Sequence, residues 1–217
     1  MKRNALVALF AFAAVAAGFG AALSVRPEGP GGAKEPVPAK KIQVAVFQTR
    51  YGKIMIRFFP SQAPSTVRQI KHLVKIGFYN GTKFHRIIPG YIIQGGDPNT
   101  KKSDRRLWGE GDYVGPDGKP VYLKAEFNSI HHGRGVVSMA RAQDPNSASC
   151  QFFICVGDAG QLDHRYTAFG KVIEGMGVVD KIANAPRVSG TDEPVNPVAI
   201  EKAWLTYYRL KAVSKSK

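Results

Sequence analysis

Arg86 and Gln94 are the polar residues of this sequence whose setting most clearly favours chemistry. They lie in the stretch Phe84–Asp97, where branched apolar residues and an aromatic ring surround them and no serine or cysteine is present. Arginine keeps its positive charge and carries five N–H donors. The stretch therefore predicts a site that binds an apolar group, places a cation beside it, and makes or breaks no covalent bond.

A second group of candidates lies between positions 140 and 153. Gln151 and Phe153 are two residues apart in a predicted strand, so their side chains share one face. Phe153 is predicted to floor an apolar pocket while Gln151 bonds a peptide backbone; a core phenylalanine and a surface glutamine are the alternatives. Ala140 and Ala142 flank Arg141, and such small residues would let an extended chain lie against the backbone.

Stretches with alternating apolar and polar residues predict the strands that hold these side chains. The predicted strands cover 42–47, 53–58, 84–94 (two short strands with a bend at Pro89-Gly90), 135–140, 151–156, 168–172 and 198–207. One helix is predicted from Ser65 or Thr66 to Gly77, and another over about 177–183. The polar stretch 97–128 is predicted as a long functional or lid-like loop. This pattern fits an antiparallel barrel and a sandwich equally well.

Three blocks of the sequence, in this order, resemble the cyclophilins, a family of peptidyl-prolyl cis-trans isomerases. The first is Phe84–Asp97. The second is 135–142, continued by Asn146 and 151–155, and the third is Leu162-Asp163 followed by 168–172. The resemblance spans positions 42–207. It implies a mainly β fold, in which a closed eight-stranded antiparallel β-barrel carries an α-helix over each end.

The resemblance also implies the activity, which is rotation about the peptide bond preceding proline. That bond resists rotation because the nitrogen lone pair is shared with the carbonyl, with a barrier of about 18–20 kcal/mol. In the twisted state the lone pair returns to nitrogen, so a donor aimed there stabilises the transition state more than the planar ground state. Arg86 is implied as this donor. Gln94 is expected to pin the peptide carbonyls and support the guanidinium.

The resemblance implies the substrate-binding residues too. The remaining wall of the proline pocket is expected to consist of Tyr91, Ile92, Leu162 and Tyr166. Arg141 is expected to act through its backbone. The family often has Trp where Gln161 stands, His where Tyr166 stands and Phe where Tyr91 stands, and these departures bear on ligand preference. Proline-containing polypeptides are the implied partners, and no cofactor or metal is expected.

The N-terminal part of the sequence predicts export. Lys2 and Arg3 precede an uncharged run that ends at Val25, which is typical of a signal peptide and also long enough to cross a bilayer. A cleaved signal and a membrane anchor through residues 4–25 both remain open. The predicted organisation is a signal or anchor over 1–25, a Pro/Gly-rich linker over 26–41, an isomerase domain over 42–210 and a basic tail over 211–217. The domain is expected outside the cytoplasm, in the periplasm or anchored facing it.

Charge and composition argue against other classes of protein. The chain has 31 Lys+Arg against 16 Asp+Glu, a net charge of +15, but the basic residues are scattered and not interleaved with stacking aromatics. A basic surface on a monomer is therefore favoured over nucleic-acid binding. Cys150 and Cys155 are predicted in one strand, about 16 Å apart, so they cannot form a disulfide. His131 and His132 are expected to point apart, with no third ligand near, so no metal site is predicted.

Overall fold

The computed structural model describes residues 41–210. The strands in this range are β1 (Lys41–Thr49), β2 (Gly52–Phe58), β3 (Lys83–Phe84), β4 (Arg86–Ile88), β5 (Ile92–Gly95), β6 (Val136–Met139), β7 (Phe152–Cys155), β8 (Ala168–Glu174), β9 (Val198–Ala199) and β10 (Lys202–Arg209). The α-helices are α1 (Pro64–Lys75) and α2 (Met176–Ala183), and three short 3-10 turns cover Pro98–Lys101, Arg105–Leu107 and Gly160–Leu162. The predicted leader, most of the linker and the basic tail lie outside the described residues.

Eight of the strands form one antiparallel sheet. Its order is β10-β1-β2-β8-β6-β7-β5-β4, while β3 and β9 pair separately with each other. The helix α1 contacts β10, and α2 contacts β2 and β5. The prediction of a mainly β domain with an eight-stranded antiparallel sheet and two α-helices is therefore confirmed. The hydrogen-bonded pairs leave β10 and β4 at the two ends of the sheet, and its closure into a barrel stays a prediction.

The strands β6 and β7 bury both of their faces, and β5 does so except at Gln94, which is partly exposed. Phe152 and Ile154 point into the main core, where Phe152 packs against Phe47 with ring centroids 5.4 Å apart. Phe153 and Cys155 point the opposite way, into a second apolar cluster. Successive strand residues alternate between faces, so one short apolar run supplies both the core and the base of an outer apolar surface. That outer surface becomes the candidate site.

The cysteines and the last strand differ from the sequence prediction. Cys150 precedes β7, so the prediction that the two cysteines share one strand is wrong. Both thiols are free, and burial raises the pKa of each to about 12, which leaves them protonated at neutral pH. The predicted strand 198–207 is divided into β9 and β10. Between them, the N–H of Ile200 donates to Thr82 O at 2.8 Å and that of Glu201 donates to Gln48 O at 2.8 Å.

The start of α1 is capped by a residue far away in sequence. The helix begins at Pro64 after Ala63, and the expected caps at Ser65 or Thr66 do not form. Instead, the Glu126 carboxylate accepts from the backbone N–H groups of Ser65 at 2.9 Å and Thr66 at 2.8 Å. These N–H groups have no partner inside the helix, and a carboxylate there also complements the helix dipole. The loop 97–128 is thereby fastened to α1.

Replacing Glu126 with glutamine is expected to lower the free energy of unfolding at pH 7 by about 1 kcal/mol, the usual cost of losing a helix cap. Burial acts to raise the pKa of Glu126, but the donated N–H groups prevail and hold it below the ordinary value. The ionised carboxylate therefore stabilises the fold above the carboxyl's unfolded pKa. This contribution is lost as the pH falls through the folded pKa. Urea titrations at pH 7 and in mild acid measure the difference.

The matched control for this variant is Glu201→Gln, since Glu201 is exposed and caps no helix. The wild type and Glu126→Gln should converge in stability as the pH falls, whereas the control should follow the wild type throughout. Equal free energies of unfolding for the wild type and Glu126→Gln at pH 7 would show that capping by the Glu126 carboxylate does not stabilise the fold.

One further property of the fold concerns membranes. Between positions 41 and 210 no helix combines the length and the apolar character that crossing a bilayer requires. The apolar run of the leader, at residues 4–25, lies outside that range.

Candidate active site

Nine of the predicted site residues line a single cavity of about 240 Å³. They are Arg86, Tyr91, Ile92, Gln94, Ala140, Arg141, Phe153, Leu162 and Tyr166. They come from β4, β5 and β7, from the turn between β4 and β5, from the segment directly after β6 and from the segment that precedes β8. The tertiary structure therefore brings together residues that are up to 80 positions apart in sequence.

Phe153 forms the base of this cavity. Its side chain is buried, and the Tyr166 ring meets it edge to face with centroids 5.5 Å apart. Ile92 belongs to the same apolar cluster, and Tyr91 and Leu162 pack against that cluster. The result is a small apolar pocket with aromatic and aliphatic walls, of the kind that accepts a compact apolar ring. We call it the proline pocket, after the ring that the sequence resemblance leads us to expect there.

Arg86 and Gln94 face each other across the hairpin of β4 and β5. They are directly paired in the antiparallel register, which is why a separation of eight residues places their side chains together. Arg86 Nη1 donates to Gln94 Oε1 at 3.5 Å, a long contact, and the Arg86 side chain is 44% exposed. A charged group with free N–H donors therefore stands at the edge of the proline pocket.

Gln94 is held in turn by Gln151. The Gln94 amide nitrogen Nε2 donates to Gln151 Oε1 at 3.0 Å. Gln151 Nε2 donates to the carbonyls of Gly109 at 2.8 Å and Gly111 at 3.0 Å. The sequence predicts that Gln151 bonds a peptide backbone, but in this structure its amide groups are engaged within the protein. Its visible effect is to orient Gln94 and to fasten the loop 97–128 beside the site.

A second cavity of about 350 Å³ adjoins the proline pocket and shares Gln94, Ala140 and Arg141 with it. It contains the two remaining predicted residues, Ala142 and Gln151, and its opposite wall comes from the loop 97–128: Gly109, Glu110, Asp112 and Tyr122. The loop 97–128 therefore forms one wall of a groove beside the site, and its functional or lid-like role stays a prediction. Glu110 and Asp112 make that wall acidic, in contrast to the basic chain as a whole.

Arg141 fixes the border between the two cavities. Its Nη2 donates to Arg165 O at 3.0 Å, and its Nη1 donates to Ala142 O at 2.9 Å. Its guanidinium also lies over the Tyr166 ring, 4.7 Å from the centroid. Among the described residues, the backbone N–H and C=O of Arg141 have no hydrogen-bond partner. They remain available to an extended chain lying in the groove.

A buried polar network lies beneath the pocket. The His132 ring stacks under Phe153 with centroids 6.0 Å apart, and its two nitrogens meet Asp163 Oδ1 at 2.8 Å and Ser138 Oγ at 3.1 Å. Burial lowers the pKa of His132, against the opposing effect of Asp163, so the ring is neutral at neutral pH. His131 also bonds Asp163, at 2.7 Å. Hydrogen bonds from His131 and from the His132 backbone hold the pKa of Asp163 well below its ordinary value.

The expectation that no metal is bound stays a prediction. The two histidines converge on one carboxylate. Even so, within 41–210 no group of three or more His, Cys, Asp or Glu side chains is placed to hold a metal ion.

Sequence reasoning missed one residue of the site. Asp192 lies in the loop between α2 and β9, and its Oδ2 accepts from Arg86 Nε at 3.0 Å. No motif or spacing indicates this pair, because 106 residues separate its members. An acidic residue in a polar loop carries no local signal of its partner.

Comparisons with known proteins agree with this geometry. The model of the family "Cyclophilin type peptidyl-prolyl cis-trans isomerase/CLD" matches residues 44–204. A peptidyl-prolyl cis-trans isomerase of Acinetobacter baylyi is 40% identical over 144 residues, which are 64% of this chain and 71% of that protein. One of Schizosaccharomyces pombe is 37% identical over 158 residues, which are 72% of this chain and 94% of that protein.

Solved structures give the same assignment. A cyclophilin type peptidyl-prolyl cis-trans isomerase of Cryptosporidium parvum, crystallised in the presence of the dipeptide Ala-Pro, is similar with a TM-score of 0.66 and 31% identity. The similarity covers 75% of this chain and 98% of that one. With the family match over residues 44–204 and the proline pocket beside Arg86, the chain belongs to the cyclophilin-type peptidyl-prolyl cis-trans isomerases.

Proposed function

We propose that Arg86 is the catalytic donor and that the proline ring of the substrate occupies the pocket floored by Phe153. The observation that carries this proposal is the position of the Arg86 guanidinium at the rim of an apolar cavity of about 240 Å³. With the ring held in the pocket, the chain on the other side of the bond is free to rotate. The guanidinium then donates to the nitrogen as its lone pair returns, and so stabilises the twisted state most.

Gln94 is the second polar group in this proposal. It contacts both Arg86 and Gln151, so its carboxamide is fixed at the junction of the two cavities. There it can hold a substrate carbonyl while the bond turns. The chain beyond the proline lies along the second cavity, against the free backbone groups of Arg141. Protease-coupled isomerisation of a short peptide with one Xaa-Pro bond, comparing the wild type with a variant lacking the guanidinium, tests the assignment.

Closure of the sheet into a barrel is a second part of the proposal. The strands at the two ends of the eight-stranded sheet, β4 and β10, directly follow β3 and β9 in sequence. These two preceding strands pair antiparallel, with Lys83 opposite Ala199 and Phe84 opposite Val198. Such a pair draws the free edges towards each other, which supports a closed barrel. Closure would remove the exposed edges that invite aggregation.

The cellular role is proposed to be assistance to the folding of exported proteins, by a monomer without nucleic-acid partners. The leader supports this part, since Lys2-Arg3 and the uncharged run to Val25 are typical of export. Uncatalysed proline isomerisation takes tens to hundreds of seconds and limits folding. Proline-containing polypeptides emerging outside the cytoplasm would therefore be the substrates.

A reporter protein that functions only in the cytoplasm, fused after Lys217, is expected to stay inactive, because the leader directs the fused chain out of the cytoplasm. The measurement is reporter activity in whole cells, with fusion protein quantified by immunoblot. A fusion that lacks residues 1–25 serves as the control and should be active. Equal activity of the full-length and shortened fusions would contradict export, while leaving the isomerase activity itself untouched.

A further inference from the structure

The carboxylate of Asp192 holds one edge of the Arg86 guanidinium. Asp192 Oδ2 accepts from Arg86 Nε at 3.0 Å, and the two side chains are 39% and 44% exposed. The backbone takes part as well, because the Asp192 carbonyl accepts from the N–H of Ile87 at 2.8 Å. The loop that carries Asp192 is therefore hydrogen-bonded to β4, the strand that carries Arg86.

Asp192 is itself held in place by its own loop. Arg187 Nη1 lies 3.7 Å from Asp192 Oδ1, and the N–H of Val188 donates to Glu193 O at 2.8 Å. Thr191 Oγ1 donates to Val188 O at 3.0 Å. These contacts close a tight loop around the carboxylate, so that it is a fixed anchor for the arginine.

The contacts of Arg86 leave the terminal N–H groups of its guanidinium largely free to donate to a substrate. Asp192 uses the Nε–H, and Gln94 accepts from Nη1 at the long distance of 3.5 Å. The Nη2 group has no hydrogen-bond partner among the described residues. A half-exposed arginine without an anchor would lose side-chain entropy each time it ordered over a substrate. An anchored Nε instead keeps the planar group in one orientation before the substrate arrives.

We propose that Asp192 is a positioning residue for Arg86: it fixes the plane of the guanidinium so that the remaining N–H donors face the proline pocket. This inference rests on the proposed catalytic role of Arg86. Positioning has a cost, because the carboxylate also offsets part of the positive charge at the site. The arrangement favours catalysis if the orientation of the guanidinium contributes more to the rate than the net charge of the site. Small misplacements of catalytic groups can reduce rates by about a hundredfold.

The test measures kcat and KM separately for Asp192→Ala, which removes every acceptor for the Arg86 Nε–H, in two backgrounds, the wild type and Arg86→Lys. In the wild-type background we expect kcat to fall about tenfold while KM stays within about twofold, because orientation, and not substrate binding, is lost. Lysine has no Nε–H edge for Asp192 to hold. In the Arg86→Lys background, Asp192→Ala should therefore leave kcat unchanged. Asp192→Glu, which keeps the carboxylate, should recover part of the loss.

The matched control is Asp180→Ala. Asp180 forms a two-pronged ion pair with Arg134 at 2.8 and 2.7 Å, away from the site, and its removal should leave kcat unchanged. Thermal unfolding of each variant separates loss of fold from loss of rate. An equal fall in kcat in both backgrounds, or no fall in the wild-type background, would overturn the role of Asp192 even if Arg86→Ala is inactive. An active Arg86→Ala would instead overturn the proposed function and this inference with it.

Discussion

Replacing Arg86 with alanine is expected to reduce kcat/KM for Xaa-Pro isomerisation by about two to three orders of magnitude, the usual effect of removing one donor aimed at developing charge. The guanidinium is the cation that the structure places at the rim of the proline pocket, in contact with Gln94. No other group lining that pocket is a charged donor except Arg141, whose guanidinium is bonded to backbone carbonyls. The apolar pocket would remain, so peptide binding should be affected less than turnover.

Arg86→Lys is expected to restore little of the activity. Lysine places a compact point charge where arginine has a planar group with five donors, and it cannot keep the bond to Asp192 through Nε. The measurement is protease-coupled isomerisation of a proline peptide, with thermal unfolding to establish that each variant is folded. Arg106→Ala is a suitable control. The Arg106 side chain is 90% exposed, pairs with Asp104 and does not line the proline pocket. Near wild-type turnover in a well-folded Arg86→Ala would refute the catalytic assignment and would favour a binding module with the same pocket.

The second large effect is expected in the inhibition by cyclosporin, a cyclic peptide that inhibits members of the family that this sequence resembles. Cyclophilins that bind it tightly resemble one another in a tryptophan whose ring covers the drug and whose N–H donates to it. Gln161 stands at that position, exposed in a short 3-10 turn directly before Leu162 of the pocket wall. Glutamine lacks the large flat apolar surface of an indole.

Weak inhibition of the wild type by cyclosporin is therefore expected, and Gln161→Trp should tighten inhibition roughly ten- to a hundredfold, equivalent to about 1–3 kcal/mol of contact. Turnover without the drug should change little, because Gln161 does not line the proline pocket. Titration of the drug against both forms gives the two inhibition constants. Identical constants would show that position 161 does not set the sensitivity, and a large loss of basal turnover would show that Gln161 belongs to the catalytic site.

Local patterns in the sequence indicated most of the strands and the two helices, and the family resemblance indicated the principal site residues. The spacing of Arg86 and Gln94 about a bend at Pro89-Gly90 indicates a hairpin, and antiparallel pairing then places the two side chains together. The alternation in β7 separates Phe153 from the core residues Phe152 and Ile154. Such features are readable because a strand repeats every two residues and a helix every 3.6. The three sequence blocks, in their order, indicated the cyclophilin family.

Only the tertiary structure decided which distant groups support those residues. Glu126 caps a helix that starts about 60 positions earlier, Gln151 is engaged by Gly109 and Gly111, and Asp192 holds Arg86 across 106 residues. Periodicity describes the faces of one element at a time, whereas these contacts depend on how loops are fastened to other elements. A carboxylate in a polar loop looks the same in sequence whether it faces solvent or a guanidinium. Its role is set by the partner that the completed sheet brings within hydrogen-bond distance.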